Sequence, residues 1–150
     1  MELVDQHGHQ FKLADLKGKV IFVDFWFSGC GGCIGYYNLV VSKVEPIVDK
    51  EKVVFVSICI DKDRDEWLKD IRSGKYTSED AINVKLDNGG KSPIAKAFGL
   101  TSYPFPVLLD RTGRIYSTST QDLRHEGPEG LLRMIEKAYN LTDKDTGPSE

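Results

Sequence analysis

Residues 20–27 read Val-Ile-Phe-Val-Asp-Phe-Trp-Phe, apolar at every position except Asp24. A strand with one face in water alternates apolar and polar residues, whereas an unbroken run belongs to a central strand covered on both faces. A sheet covered on both faces needs helices on both sides, so this segment alone points to an α/β fold. Residues 53–60 (VVFVSICI) read as a second buried strand. Between the two, Tyr37, Val40, Val41, Val44, Ile47 and Val48 recur at helical spacing, and Pro46 is expected to kink or end that helix. Asp63 and Glu66 form a capping-box-like pair ahead of Trp67, Leu68 and Ile71, and Gly74 supplies a stop. Ser92-Pro93 opens a short helix that Gly99 closes. Residues 106–109 and 115–119 read as strands joined by the turn Asp110-Arg111-Thr112-Gly113. Pro128 starts a last helix with Leu131, Leu132, Ile135, Ala138 and Tyr139 on its apolar face. Alternating strands and helices imply parallel pairing with right-handed crossovers, and the closing hairpin adds antiparallel strands. The expected architecture is a central mixed sheet flanked by helices on both faces.

The chain has 150 residues, 40% hydrophobic and 29% charged, which suits one domain with a buried core. We expect that domain over residues 1–141, as a monomer, with 142–150 as a flexible tail. A net charge of −3 carries no basic footprint for nucleic acid or an anionic membrane surface. No apolar run approaches the roughly 20 residues of a membrane span. Three cysteines are too few for a disulfide scaffold, and the odd count leaves at least one thiol free or only transiently paired. Met1-Glu2-Leu3-Val4-Asp5 lacks the basic start and apolar stretch of a secretory signal. Taken literally this is a cytoplasmic chain; the other reading is a start that follows an excised signal or an upstream domain.

Cys30-Gly31-Gly32-Cys33 falls where the first strand gives way to a helix. A helix N-terminus has backbone N–H groups without intrahelical partners and partial positive charge, both of which favour a thiolate. Cys30 is therefore expected to titrate below about 8.5, to lie exposed, and to attack first. Cys33, inside the first turn, is expected to be more buried and to resolve the mixed disulfide. Half of a zinc site is the rival reading, with Cys59 and His7, His9 or His125 completing four ligands. Cys59 lies in an apolar strand, and no second close-spaced pair exists. No metal and no separate cofactor are expected; the Cys30–Cys33 pair is itself the redox group.

Asp24 interrupts a buried strand six residues before Cys30. A buried carboxyl without a charged partner raises its pKa and stays neutral. It is either a hydrogen-bonded structural residue or, as we expect, an acid beneath the dithiol that relays protons for Cys33.

Val23-Asp24-Phe25-Trp26 followed by Cys30-x-x-Cys33 resembles the thioredoxin superfamily and, more narrowly, the TlpA-like thiol–disulfide oxidoreductases. The likeness extends from Phe11-Lys12-Leu13 and Asp15–Val20 to Tyr103-Pro104, Val107-Leu108-Leu109-Asp110 and Gly113-Arg114-Ile115, covering roughly residues 3–139. It implies a thioredoxin-like fold, a cis-proline at Pro104, and backbone groups of Tyr103 presented to an extended substrate. Trp26, Gly31 and Gly32 are expected to complete the substrate-binding surface, with Trp26 and Phe25 packing the core as the alternative. The resemblance also implies exchange with protein thiols and disulfides, an upstream electron donor, reduction as the direction, and work outside the bacterial cytoplasm. The sequence departs from the family at four positions. Gly29 stands where a tryptophan usually precedes the first cysteine, and Gly32 where a proline precedes the second. Tyr36 replaces a common glutamate and Asn38 a common proline. The missing glutamate throws more weight onto Asp24.

Two rival functions share the fold. A thiol peroxidase would resemble Pro-x-x-x-Thr-x-x-Cys around its nucleophile, but Phe27 stands at the threonine position here. A non-catalytic module would use the cis-proline groove to hold extended peptides by strand-like pairing. Cys59 is expected to be a small core hydrophobe, the three histidines to lie in surface loops, and residues 61–66 to be a solvated helix start. Tyr36 and Tyr37 are read either as a docking groove or as packing.

Overall fold

The computed structural model describes residues 3–61, 63–86, 92–100, 102–118 and 127–141. The strands are β1 (Leu3–Asp5), β2 (Val20–Trp26), β3 (Val53–Cys59), β4 (Ile82–Leu86), β5 (Phe105–Leu109) and β6 (Ile115–Thr118). The helices are α1 (Gly31–Tyr36), α2 (Ser42–Val44), α3 (Arg64–Ser73), α4 (Pro93–Phe98) and α5 (Gly127–Tyr139). One sheet takes the order β1-β4-β3-β2-β5-β6. β2 pairs parallel with β3, and β3 with β4; β5 joins β2 antiparallel, and β6 and β1 close the two edges antiparallel. The sheet is mixed, as expected, with β2 at its centre and all seven of its residues buried.

The two faces of β2 serve two layers. Val20 and Phe22 pack with Tyr36, Val44, Leu131 and Ile135 from the α1–α2 segment and α5. Ile21, Val23 and Phe25 face the other way, toward Ala95 of α4 and the 3-10 turn Leu13–Leu16. A third cluster gathers where β2 and β3 end, from Trp26, Cys59, the two dithiol cysteines, Trp67 and Ile71 of α3, and Tyr76.

Local signals set most element ends. Asp63 caps α3 by accepting from the backbone N–H groups of Asp65 and Glu66, and Ser92 caps α4 by accepting from Ile94. Glu66 does not complete the box; its carboxylate meets Ser28. Asp110 folds the β5–β6 turn by accepting from Thr112 and Arg114 N–H groups.

The structure adds two strands that the pattern reading omits. β1 is three residues long, too short for periodicity to register. β4 carries Asn83 and Lys85 among its buried residues, and these polar residues hide the strand. Asn83 is well bonded, to Thr77 Oγ1 at 2.8 Å and to the Ser78 and Ala81 carbonyls, and Lys85 Nζ donates to the Leu86 carbonyl. The helix after the dithiol also differs. It passes through a π turn at Tyr37–Val41 before α2, and a 3-10 turn (Glu45–Ile47) carrying Pro46 ends it. The expected tail 142–150, His125 and the strand end at Ser119 lie outside the described residues.

Candidate active site

The dithiol occupies the carboxyl end of β2, beside the start of β5, because the antiparallel register sets Phe25 opposite Phe105. Open α/β sheets place their sites at the carboxyl ends of parallel strands. Phe27 to Cys30 form a tight turn, with Cys30 N–H donating to the Phe27 carbonyl at 3.1 Å. Gly29 takes φ +88° within it, the left-handed value a type II turn requires at its third position. This accounts for the glycine before the first cysteine.

Cys30 is the N-cap of α1. Its Sγ accepts from the Cys33 N–H at 3.1 Å, where a serine or aspartate oxygen commonly sits. The donor is one of the orphan N–H groups of the first helical turn, so the sulfur lies where the helix favours negative charge. Cys30 and Cys33 are joined in a disulfide with Cα atoms 5.2 Å apart. The expectation that Cys30 lies exposed is corrected: it is 5% exposed, against 1% for Cys33. Its side chain packs in the cluster with Trp26 and Tyr76, while Gly31 and Gly32 beside it are exposed.

The Tyr103–Pro104 peptide bond is cis. Pro104 is buried against the dithiol helix: a Cβ at Gly32 would lie 3.2 Å from Pro104 Cδ and 3.6 Å from the Tyr103 carbonyl oxygen. Gly32 therefore marks a close approach between the two halves of the site. The Tyr103 ring meets Phe27 edge to face at 5.5 Å.

Trp26 is corrected as a substrate contact. It is fully buried, donates Nε1–H to Ser57 Oγ at 2.6 Å, and stacks on Tyr76 with centroids 4.3 Å apart. No part of its ring is left for a visitor; it supports the loop above it. Tyr36 and Tyr37 resolve as packing against the α1–α5 core.

Asp24 is 5% exposed, and its Oδ1 has no hydrogen-bond partner among the described residues. Burial pushes its carboxyl up to about 8. It lines a cavity of about 10 Å³, room for one water, together with Ser57, Thr77 and Glu45. Tyr36, one turn beyond Cys33, lies near enough that the Asp24 charge adds to burial in pushing the phenol up. Cys59 is wholly buried, and burial pushes its thiol up. Among the described residues no three His, Cys, Asp or Glu side chains gather as a metal site, and no helix is long and apolar enough to cross a membrane.

Three residues outside the expected set reach the dithiol turn. Asp61 accepts from Ser28 N–H at 2.5 Å, Glu66 pairs with Ser28 Oγ at 3.2 Å, and Tyr76 Oη accepts from Gly29 N–H at 2.7 Å. Asp61 and Glu66 sat in the charge run read as a solvated helix start, and Tyr76 carries no sequence signal.

A Cys-x-x-Cys pair at a helix N-terminus, beside Pro104 at the end of a central strand, together with the relatives the chain matches, defines a thiol–disulfide oxidoreductase of the thioredoxin superfamily. The chain belongs to the Redoxin family, whose model matches residues 1–132. It is 29% identical over 138 residues to the thiol-disulfide oxidoreductase ResA of Bacillus thuringiensis (strain Al Hakam), covering 89% of this chain and 73% of that protein. The thioredoxin domain of a thiol-disulfide oxidoreductase from Bacteroides vulgatus superposes with TM-score 0.73 at 24% identity, covering 93% of each chain. A thiol:disulfide interchange protein DsbE from Chlorobium tepidum, described as putative, superposes with TM-score 0.71 at 22% identity, covering 92% of each chain.

Proposed function

We propose that this enzyme reduces disulfides in protein substrates, working outside the cytoplasm as a monomer. The observation that carries the reading is the Cys30 sulfur at the N-cap of α1, within hydrogen-bond distance of the Cys33 N–H. In the reduced protein the Cys30 thiolate attacks a substrate disulfide. A Cys30–substrate disulfide forms, and the other substrate sulfur leaves as a thiolate and takes a proton. Cys33 then gives up its proton and attacks Cys30 Sγ. This closes the Cys30–Cys33 disulfide and releases the second substrate thiolate. A donor dithiol restores the reduced state.

In this scheme Asp24, whose charge reaches Tyr36 on the dithiol helix, takes the proton from Cys33. A carboxyl at about 8 lies close to working pH, where an acid both takes and returns a proton efficiently. Tyr103 and Pro104 present the start of β5 to an extended substrate, with Gly31 and Gly32 forming the opposite wall. The relative named thiol-disulfide oxidoreductase ResA supports the choice of disulfide exchange.

The test is Cys33→Ser, which stalls the reaction at the mixed disulfide, combined with the reduction potential of the native pair. Covalent capture of protein partners through Cys30 and a potential near or below about −270 mV are expected. No captured partner, or a potential near about −120 mV, overturns the reductant reading. Rapid oxidation by hydrogen peroxide alone would favour a peroxidase instead.

A further inference from the structure

The turn that delivers Cys30 is held from outside the dithiol. Gly29, Gly31 and Gly32 surround Cys30, so the residues on either side of the nucleophile carry no Cβ atoms to restrict them. Its order comes from the α3 segment: Asp61 before the helix, Glu66 within it and Tyr76 beyond it. Tyr76 is the best placed of the three. It is buried, its ring lies flat on Trp26 at 10°, and Trp26 is pinned in turn by its bond to Ser57. The phenol oxygen is thus a fixed acceptor for the Gly29 N–H, one residue before the nucleophile.

We propose that Tyr76 is a positioning residue for the dithiol: by holding the Gly29 N–H it keeps Cys30 within reach of Cys33 and so favours closure of the disulfide. Ring closure depends on the effective concentration of one sulfur at the other, and holding a loose loop in its closed geometry raises that concentration. The inference rests on the Cys30–Cys33 pair being a reversible couple.

Tyr76→Phe tests it, since the ring and its stacking stay while only the acceptor oxygen is lost. The readout is the equilibrium with glutathione, in which protein disulfide and two glutathione thiols give protein dithiol and glutathione disulfide. Losing one neutral hydrogen bond is worth about two- to tenfold in an equilibrium constant. The variant is expected to shift toward the dithiol by that factor, and to resolve mixed disulfides more slowly by a similar factor. A folded Tyr76→Phe protein with an unchanged equilibrium constant overturns the proposal. If that variant does not fold, Ser57→Ala, which unpins the Trp26 ring that holds Tyr76 in place, takes its place, with a shift in the same direction expected and an unchanged equilibrium constant as the refuting result. If the native protein fails to equilibrate with glutathione at all, the redox reading itself fails, which separates the two outcomes.

Discussion

Asp24→Asn removes an ionisable group from the centre of the sheet while keeping its shape. The Asp24 carboxyl, ordinarily near 3.8 in water, is pushed up to about 8 in the folded protein, because burial disfavours its charged form. The folded protein therefore holds a proton that the unfolded chain has already released. Stability falls with pH wherever the folded state binds more protons, at about 1.4 kcal/mol per pH unit for one proton. The loss starts as pH rises past 3.8 and levels off above about 8, once both states are ionised. Between pH 5 and pH 8 this amounts to about 3–4 kcal/mol, a large share of the 5–15 kcal/mol that holds an ordinary domain. The asparagine variant has no such slope from this position. Urea unfolding of the disulfide form at closely spaced pH values reads it directly. The native protein is expected to lose midpoint steadily over that interval relative to Asp24→Asn, with the two converging near pH 4. Curves that run parallel from pH 5 to pH 8 would refute the assignment of a buried, uncompensated carboxyl.

Other substitutions probe the surroundings of the site. Gly29→Ala forces a side chain into φ +88° and is expected to cost about 1–2 kcal/mol in the same unfolding assay. Trp26→Phe leaves Ser57 without its indole donor and weakens the stack on Tyr76; a loss of about 1–3 kcal/mol is expected from unfolding. Cys59 is wholly buried with its thiol pushed up, so in the reduced native protein it is expected to react with iodoacetamide at least about tenfold more slowly than Cys30. Peptide mapping at partial labelling checks this, with full labelling of Cys59 in denaturant as the control.

The sheet's centre was legible because β2 and β3 are buried on both faces and written in apolar residues, so their identity needs no partner to be known. The ends of α3 and α4 were legible because Asp63, Ser92, Gly74 and Gly99 act through local hydrogen bonds and local backbone geometry. β4 was not, because Asn83 and Lys85 are polar residues whose burial depends on distant partners. The same division runs through the site. Cys30, Cys33 and Asp24 stand out as chemistry interrupting an apolar pattern. Tyr76 and Asp61 act only because the fold carries α3 back over the dithiol turn, which no spacing in the chain records. The burial of Cys30 has the same origin: a residue at a strand end opens to solvent only if nothing packs against it, and here Trp26 and Tyr76 do.

The central claim is that the helix N-terminus makes Cys30 the ionised, leading sulfur of the pair. Iodoacetamide labelling of the reduced protein across pH, resolved by mass spectrometry for each cysteine, measures it. Cys30 is expected to titrate below about pH 7.5 and to label ahead of Cys33 throughout. A Cys30 that titrates near 8.5, or that labels no faster than Cys33, would contradict the account.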